Sequence, residues 1–163
     1  MAPRRIPMAI RLTRLPAGER AIGRNPRNDE KDDLAILLYA AYRGTIDDEG
    51  GTFADARAEI DRLFDGAYGR FLGDCSFVIE EGEFLASASL VTWWAPHDAP
   101  LVAFTMTRPE AQGRGLARSL LTKSMNALCD AGYDRLTLIV TDGNAPAQRL
   151  YRSLGFRTLP SPE

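Results

Sequence analysis

The segment Thr105–Leu121, TMTRPEAQGRGLARSLL, constrains this chain more than any other. It joins a β-branched, apolar run to a helix through a turn that carries two glycines. Leu101–Thr107 suits a strand. Pro109 has no N–H to give and stops the ladder. Gln112-Gly113-Arg114-Gly115-Leu116-Ala117 then opens a helix, predicted from about Gly113 to Cys129. Leu116, Leu120, Leu121, Met125 and Leu128 fall on one face of it at helical spacing. A helix start offers unpaired N–H groups and the positive end of a dipole. The glycines let a ligand approach the backbone, and Arg114 adds a charge. Such a pattern describes an anion site, most naturally for a phosphate or pyrophosphate. The plain alternative is a tight strand-to-helix connection with nothing bound.

Two familiar phosphate motifs fail here. No Gly-x-x-x-x-Gly-Lys-Ser/Thr string occurs. The dinucleotide fingerprint needs a third glycine, and Gly113-Arg114-Gly115 is followed by Ser119 or Leu120 where it would fall. The spelling that fits is Gln-x-x-Gly-x-Ala, carried by Gln112, Gly115 and Ala117 directly after a strand and Pro109-Glu110. It resembles the acetyl-CoA-binding motif of the GCN5-related N-acetyltransferase (GNAT) family. About thirty residues on, Thr141–Phe156 adds a second match: a strand end, Asn144, a short helix carrying Tyr151, then Leu154-Gly155-Phe156. The resemblance is clear from about residue 75 onward and vaguer over the first seventy.

The remaining chain reads as follows. Met8–Leu15 alternates and is predicted as the first strand, followed by a loop over 16–31. Asp32 or Asp33 is placed as the cap of a helix whose body is LAILLYAAYRG, ending near Gly44. Thr45–Gly51 is a short acidic loop. Thr52 is the predicted N-cap of a second helix, with Phe53, Ala56, Ile60, Leu63 and Phe64 on one face. Ser76–Glu80 is expected to pair with Phe84–Leu90 across Glu81-Gly82-Glu83, with Val91–Trp94 extending the second strand. Ala95–Pro100 reads as a loop, Arg135–Val140 as a buried strand, and Phe156–Leu159 as a last strand. Asn144 opens a helix that tolerates Pro146 in its first turn and closes at Gly155, where a left-handed cap is expected. The order gives an α/β fold with a mixed, largely antiparallel central sheet flanked by helices, as one domain over 1–163; it is similar to the acyl-CoA N-acyltransferase-like arrangement of the resembled family.

The chain's 163 residues are enough to bury a core, and 45% of them are hydrophobic. A formal net charge of −2 gives no reason to expect nucleic acid. No apolar run reaches the roughly 18 residues of a membrane helix, and the basic N-terminus lacks the apolar stretch of a secretory signal. A cytoplasmic protein with reduced Cys75 and Cys129 is expected, and no zinc site. Neither a membrane nor a nucleic acid is an expected partner.

The resemblance implies more than these patterns do. The strands holding Thr105 and Leu138 are expected to splay, with the acyl-pantetheine arm in the gap. Pantetheine amides would pair with Thr105–Thr107, a backbone N–H around Met106 would meet the acyl oxygen, and the pyrophosphate would take N–H groups from Gln112 to Ala117. Tyr151 is the candidate general acid, because a phenol near pKa 10 is protonated at neutral pH; the alternative is a core tyrosine. Asn144 caps its helix, touches the pantetheine arm, or both. The implied reaction moves an acetyl group from acetyl-CoA to a primary amine of a small molecule or peptide, by direct attack in a ternary complex. A non-catalytic acyl-CoA-binding module and a different acyl-CoA donor are the rivals.

No general base is assigned. Glu83 and Glu110 read as solvated, and His97 as exposed in a proline-bounded loop. Asp47, Asp48 and Glu49 either attract a cationic acceptor or form a solvated loop. Trp93 and Trp94 face opposite sides of a strand and finish a core, line an acceptor pocket or make a homodimer contact.

Overall fold

The computed structural model describes residues 3–16 and 22–160; part of the predicted N-terminal loop, 17–21, lies outside them. The elements run β1 (Arg5–Arg11), α1 (Lys31–Tyr42), α2 (Phe53–Asp65), β2 (Arg70–Phe71), β3 (Phe77–Glu81), β4 (Phe84–Trp94), β5 (Ala99–Thr107), α3 (Leu116–Asp130), β6 (Arg135–Thr141), α4 (Ala145–Leu154) and β7 (Arg157–Thr158). One seven-stranded sheet has the order β2-β4-β5-β6-β1-β7, with β3 also paired to β4. Among the described residues, every pairing between these strands is antiparallel except β5 with β6. The predicted fold class and the order of its main elements are both present.

The two faces of the sheet bury different cores. Leu34, Leu37 and Leu38 of α1 and Ile60 and Leu63 of α2 pack on Val78, Leu90, Phe104 and Met106. On the other face Leu121, Met125 and Leu128 of α3 meet Val91, Val102, Leu136, Leu138 and Val140, with Tyr151 and Phe156 closing the edge. Thr52 caps α2 in a reciprocal box with Asp55, and Gly66 ends it in the left-handed conformation. Asn144 caps α4 through its side chain, and Gly155 at φ 110° closes it.

Several boundaries differ from the sequence-based expectation for physical reasons. β1 starts three residues earlier and stops at Arg11, because its register is set by β6, from Arg5 opposite Thr141 to Arg11 opposite Arg135. α1 starts at Lys31, with Asp32 and Asp33 inside the first turn rather than at the cap. Glu30 takes the cap position, and its carboxylate accepts the Arg27 N–H at 2.7 Å and pairs with Arg24. Ala95–Pro100 is not all loop: Ala95–His97 makes a 3-10 turn and β5 begins at Ala99. The two-residue β2 has no alternating pattern of its own; it exists because β4 offers Thr92 and Trp93 as partners.

The feature that organises the molecule is a β-bulge. Leu90 faces Phe104 across the β4–β5 ladder while Val91 faces Val102, so Ala103 is an extra residue on β5. Bulges bend a strand and end pairing. The parallel β5–β6 ladder consists of Leu101 with Thr137 and Val102 with Leu138, and it stops there. From Ala103 to Thr107, β5 stays with β4 and leaves β6, whose own ladder with β1 continues to Thr141. The predicted splay is therefore present, and the bulge is its cause.

Candidate functional site

The splay opens into a cleft of about 480 Å³. Thr105 and Thr107 form one wall, and Gln112, Gly113, Gly115, Leu116 and Ala117 turn across its end. Asn144, Ala147 and Tyr151 supply the facing wall, while Ala41 and Tyr42 from the end of α1 close the remaining side.

The open strand shows which backbone groups point into this space. The Arg108 N–H donates to the Ala86 carbonyl at 2.9 Å, and the Met106 carbonyl accepts from Ser87 Oγ at 2.9 Å. Met106 and Arg108 thus face β4, and alternate residues face away. Thr105 and Thr107 direct their backbone groups into the splay, and the Thr107 carbonyl accepts from Gln112 Nε2 at 3.3 Å. Met106 lies elsewhere than the resemblance implies: its side chain is buried among the α1–α2 core and its backbone belongs to the β4 ladder. The bulge at Ala103 shifted the register by one, which moves the cleft-facing amides to Thr105 and Thr107.

The glycine turn is built as a backbone anion cradle. Gly113 and Gly115 have φ of 78° and 77°, and an added Cβ at either meets nothing within 4 Å. The left-handed backbone, not crowding, is what asks for glycine there. α3 has Gly115 as its N-cap and no side-chain cap, unlike α2 and α4, so its first N–H groups face the cleft unpaired. The helix begins at Leu116, three residues later than predicted, because those preceding residues form the cradle. Arg114 lies off this wall: its guanidinium makes two hydrogen bonds to Glu81, at 2.9 and 2.7 Å. Arg118, one helical turn on, borders the cleft instead and reaches Ser153.

Tyr151 is buried, and burial pushes its phenol above the ordinary value of 10.0, with the charge of Asp47 adding to the rise. The Thr105 hydroxyl approaches it and partly offsets this, but no well-formed hydrogen bond joins the two, and Thr105 Oγ1 is a buried atom without a partner. Tyr42 is likewise raised, chiefly by burial and then by Tyr151 and Asp47.

The acidic loop separates into three different roles. Asp48 accepts from the Gly44 and Gly50 N–H groups at 2.8 Å each and holds the loop's shape. Glu49 is exposed. Asp47 reaches across to the splay, accepting from Thr141 Oγ1 at 2.6 Å and Asn144 Nδ2 at 3.2 Å.

Other sequence candidates lie away from the cleft. His97 is half-buried rather than exposed, with Nδ1 2.8 Å from Thr137 Oγ1; burial and then Arg135 lower its pKa. It precedes the start of β5, roughly 20 Å along the strand from Thr105 at about 3.3 Å per residue. Trp93 and Trp94 finish β4 at that same remote end, where Trp93 packs on Tyr133 at 5.9 Å. Glu110 is exposed and pairs with Arg108.

The sequence matches the acetyltransferase (GNAT) family over residues 32–156. The chain belongs to that family. A curated relative from Beutenbergia cavernae, named mycothiol acetyltransferase, is 30% identical over 151 residues, covering 91% of this chain and 48% of the relative. A second relative of that name, from Thermomonospora curvata, is 41% identical over 66 residues, 39% of this chain and 22% of the relative. The chain thus spans at most about half the length of these relatives. Among solved structures, a GCN5-related N-acetyltransferase from Sphaerobacter thermophilus superposes with a TM-score of 0.71 at 19% identity, over 95% of this chain and 48% of that one. A GNAT acetyltransferase from Brucella melitensis, solved in complex with acetyl-CoA, superposes with a TM-score of 0.61 at 18% identity, over 86% of this chain and 88% of that one. These likenesses establish the GNAT fold. Among the described residues no helix is long and apolar enough to cross a membrane.

Proposed function

We propose that this chain is one acyl-transfer domain that moves an acetyl group from acetyl-CoA to a primary amine, with Tyr151 as general acid. The observation that carries this reading is the junction of two open backbone features in one cleft. The free edge of β5 meets the uncapped start of α3, and together they offer an extended donor–acceptor row that ends in an anion cradle. An acyl-pantetheine arm with a pyrophosphate at its end needs that combination.

The fit to acetyl-CoA rests on this structure's own atoms. Thr105 Oγ1 is a buried polar atom with no partner, beside the free strand edge. The Cβ-free surface at Gly113 and Gly115 leaves room for a phosphate against the backbone. Thr105 and Thr107 would hold the pantetheine amides as an added strand does. Gln112 to Ala117 would hold the pyrophosphate, and Asn144 would border the arm. Acetyl-CoA supplies an acyl group activated as a thioester. The residues supply the rest: cleft-facing amides orient the acyl oxygen, and the Tyr151 phenol holds a proton for the departing sulfur. Its raised pKa keeps that proton in place at neutral pH. The curated relatives' name and the acetyl-CoA-bound neighbour support this donor and this chemistry.

A thermal melt with and without acetyl-CoA tests the reading, with ATP and NAD as controls. At 100 times its dissociation constant, acetyl-CoA should stabilise the fold by about 2.7 kcal/mol. No shift at millimolar acetyl-CoA overturns the proposal.

A further inference from the structure

We propose that Asp47 is the group that receives the acceptor amine and takes its first proton. This inference rests on the acetyl-transfer reading above and names the residue that the sequence left unassigned.

The loop between α1 and α2 is mostly exposed, but Ile46 and Asp47 touch the end of β6 and the start of α4. Ile46 Cδ1 lies 3.0 Å from where a Cβ on Gly143 would stand, so the loop packs on the turn between β6 and α4. Next to it, the half-buried Asp47 carboxylate is held by Thr141 at the end of β6 and by Asn144 at the cap of α4. Both holders are neutral donors, so the charge is oriented and not cancelled. A carboxylate has about four lone-pair sites, and these contacts use two. Asp47 does not line the cleft itself; it sits behind Asn144, beside Tyr42 and Tyr151. Its carboxylate lies one hydrogen bond, 3.2 Å, from Asn144 in the cleft wall.

The other charged and titratable groups around it do not compete for the task. The charge of Asp47 acts on Tyr42 of α1 and Tyr151 of α4, and both stay protonated. Arg5 on β1 lies opposite Thr141, and Glu59 of α2 acts on Tyr42 from further away. Asp48 is spent on Gly44 and Gly50.

The proton and electron movements close. The ammonium gives one proton to Asp47, and the freed nitrogen lone pair forms a bond to the acyl carbon. The carbon–sulfur bond breaks, its pair leaves on sulfur, and sulfur takes the Tyr151 proton. The second nitrogen proton restores the phenol, and Asp47 releases its proton to solvent. The products are the amide, free thiol and one proton.

The test compares wild type with Asp47→Asn. Acetyl-CoA-induced melting shifts are measured first. Thiol release is then followed from pH 7 to 9.5 with an alkyl monoamine, a diamine, an amino sugar and a peptide with a free α-amine. The expected result is an unchanged acetyl-CoA shift and a kcat/KM for the amine about 100-fold lower at pH 7. That deficit narrows below about 10-fold at pH 9.5, where the amine sheds its proton unaided. Asp47→Glu, which keeps the charge, recovers most of the rate. Should Asp47→Asn fail to fold, Thr141→Val carries the test: about a 10-fold loss at pH 7 supports the inference, and none overturns it. A pH-independent deficit, unchanged turnover, or a wild type that binds acetyl-CoA yet acetylates none of the amines also overturns it. A wild type with no acetyl-CoA shift sinks the acetyl-transfer reading itself, which keeps the two failures apart.

Discussion

At the scale of single residues, chemistry here is decided by burial and by which neighbours arrive. Tyr151 is a phenol in an apolar wall, with the charge of Asp47 nearby. Both effects disfavour the phenolate, so the group is a proton donor and not a nucleophile across the neutral range. Tyr151→Phe should lower kcat about 100-fold while leaving the acetyl-CoA dissociation constant within about twofold. It removes no well-formed hydrogen bond, so the melting temperature should stay nearly constant; single-turnover kinetics beside a melt would check both. Unchanged turnover would leave Tyr151 as a core residue. Asp47, Asp48 and Glu49 show how little adjacency means: three acidic side chains in a row serve a site, a turn and the solvent.

At the scale of elements, the contrast between helix starts matters most. α2 and α4 are capped by side chains, whereas α3 starts on a bare left-handed glycine. Thr52→Ala should cost about 1 kcal/mol of stability, by loss of the cap, with acetyl-CoA binding intact. Gly115→Ala should cost about 1 kcal/mol through its positive φ alone, and should weaken acetyl-CoA binding as well. Denaturant melts with calorimetric titration would separate these outcomes. Equal effects of the two changes on binding would remove the cradle's special status. The β5 bulge is the second decisive element. Without Ala103 as an extra residue, β5 would have no local bend to end its pairing with β6 at Val102, and the cleft would lose its opening.

At the scale of the whole molecule, one polar cluster ties the N-terminal loop to the sheet. Glu30 is held by Arg24 at 2.8 and 2.7 Å, and its side chain is 3% exposed. The hydrogen bonds to Arg24 pull its carboxyl below the ordinary 4.5, against the opposing effect of burial. A depressed folded-state pKa contributes stability that is present above the unfolded value and lost as pH falls through the folded one. Acid unfolding should therefore steepen below about pH 4.5, and Arg24→Ala should cost about 2 kcal/mol at neutral pH and less in acid. Urea midpoints from pH 3 to 7 would check this, and a pH-independent loss would refute it. The amino-acid sequence by itself determined the element order, the capped helices α2 and α4, and the Gln112–Ala117 turn, because these depend on local patterns of period, cap and glycine. Asn144 and Tyr151 were legible as neighbours of that turn only through the resemblance carried by Leu154-Gly155-Phe156. Only the tertiary structure decided that Thr105 and Thr107, not Met106, face the splay, since one bulge reverses a strand's parity. Likewise Arg114 turned to Glu81, and Tyr42 and Asp47 came to the site from far along the chain. Those outcomes depend on long-range packing of α1, its loop and β6, and no local pattern encodes where such partners meet.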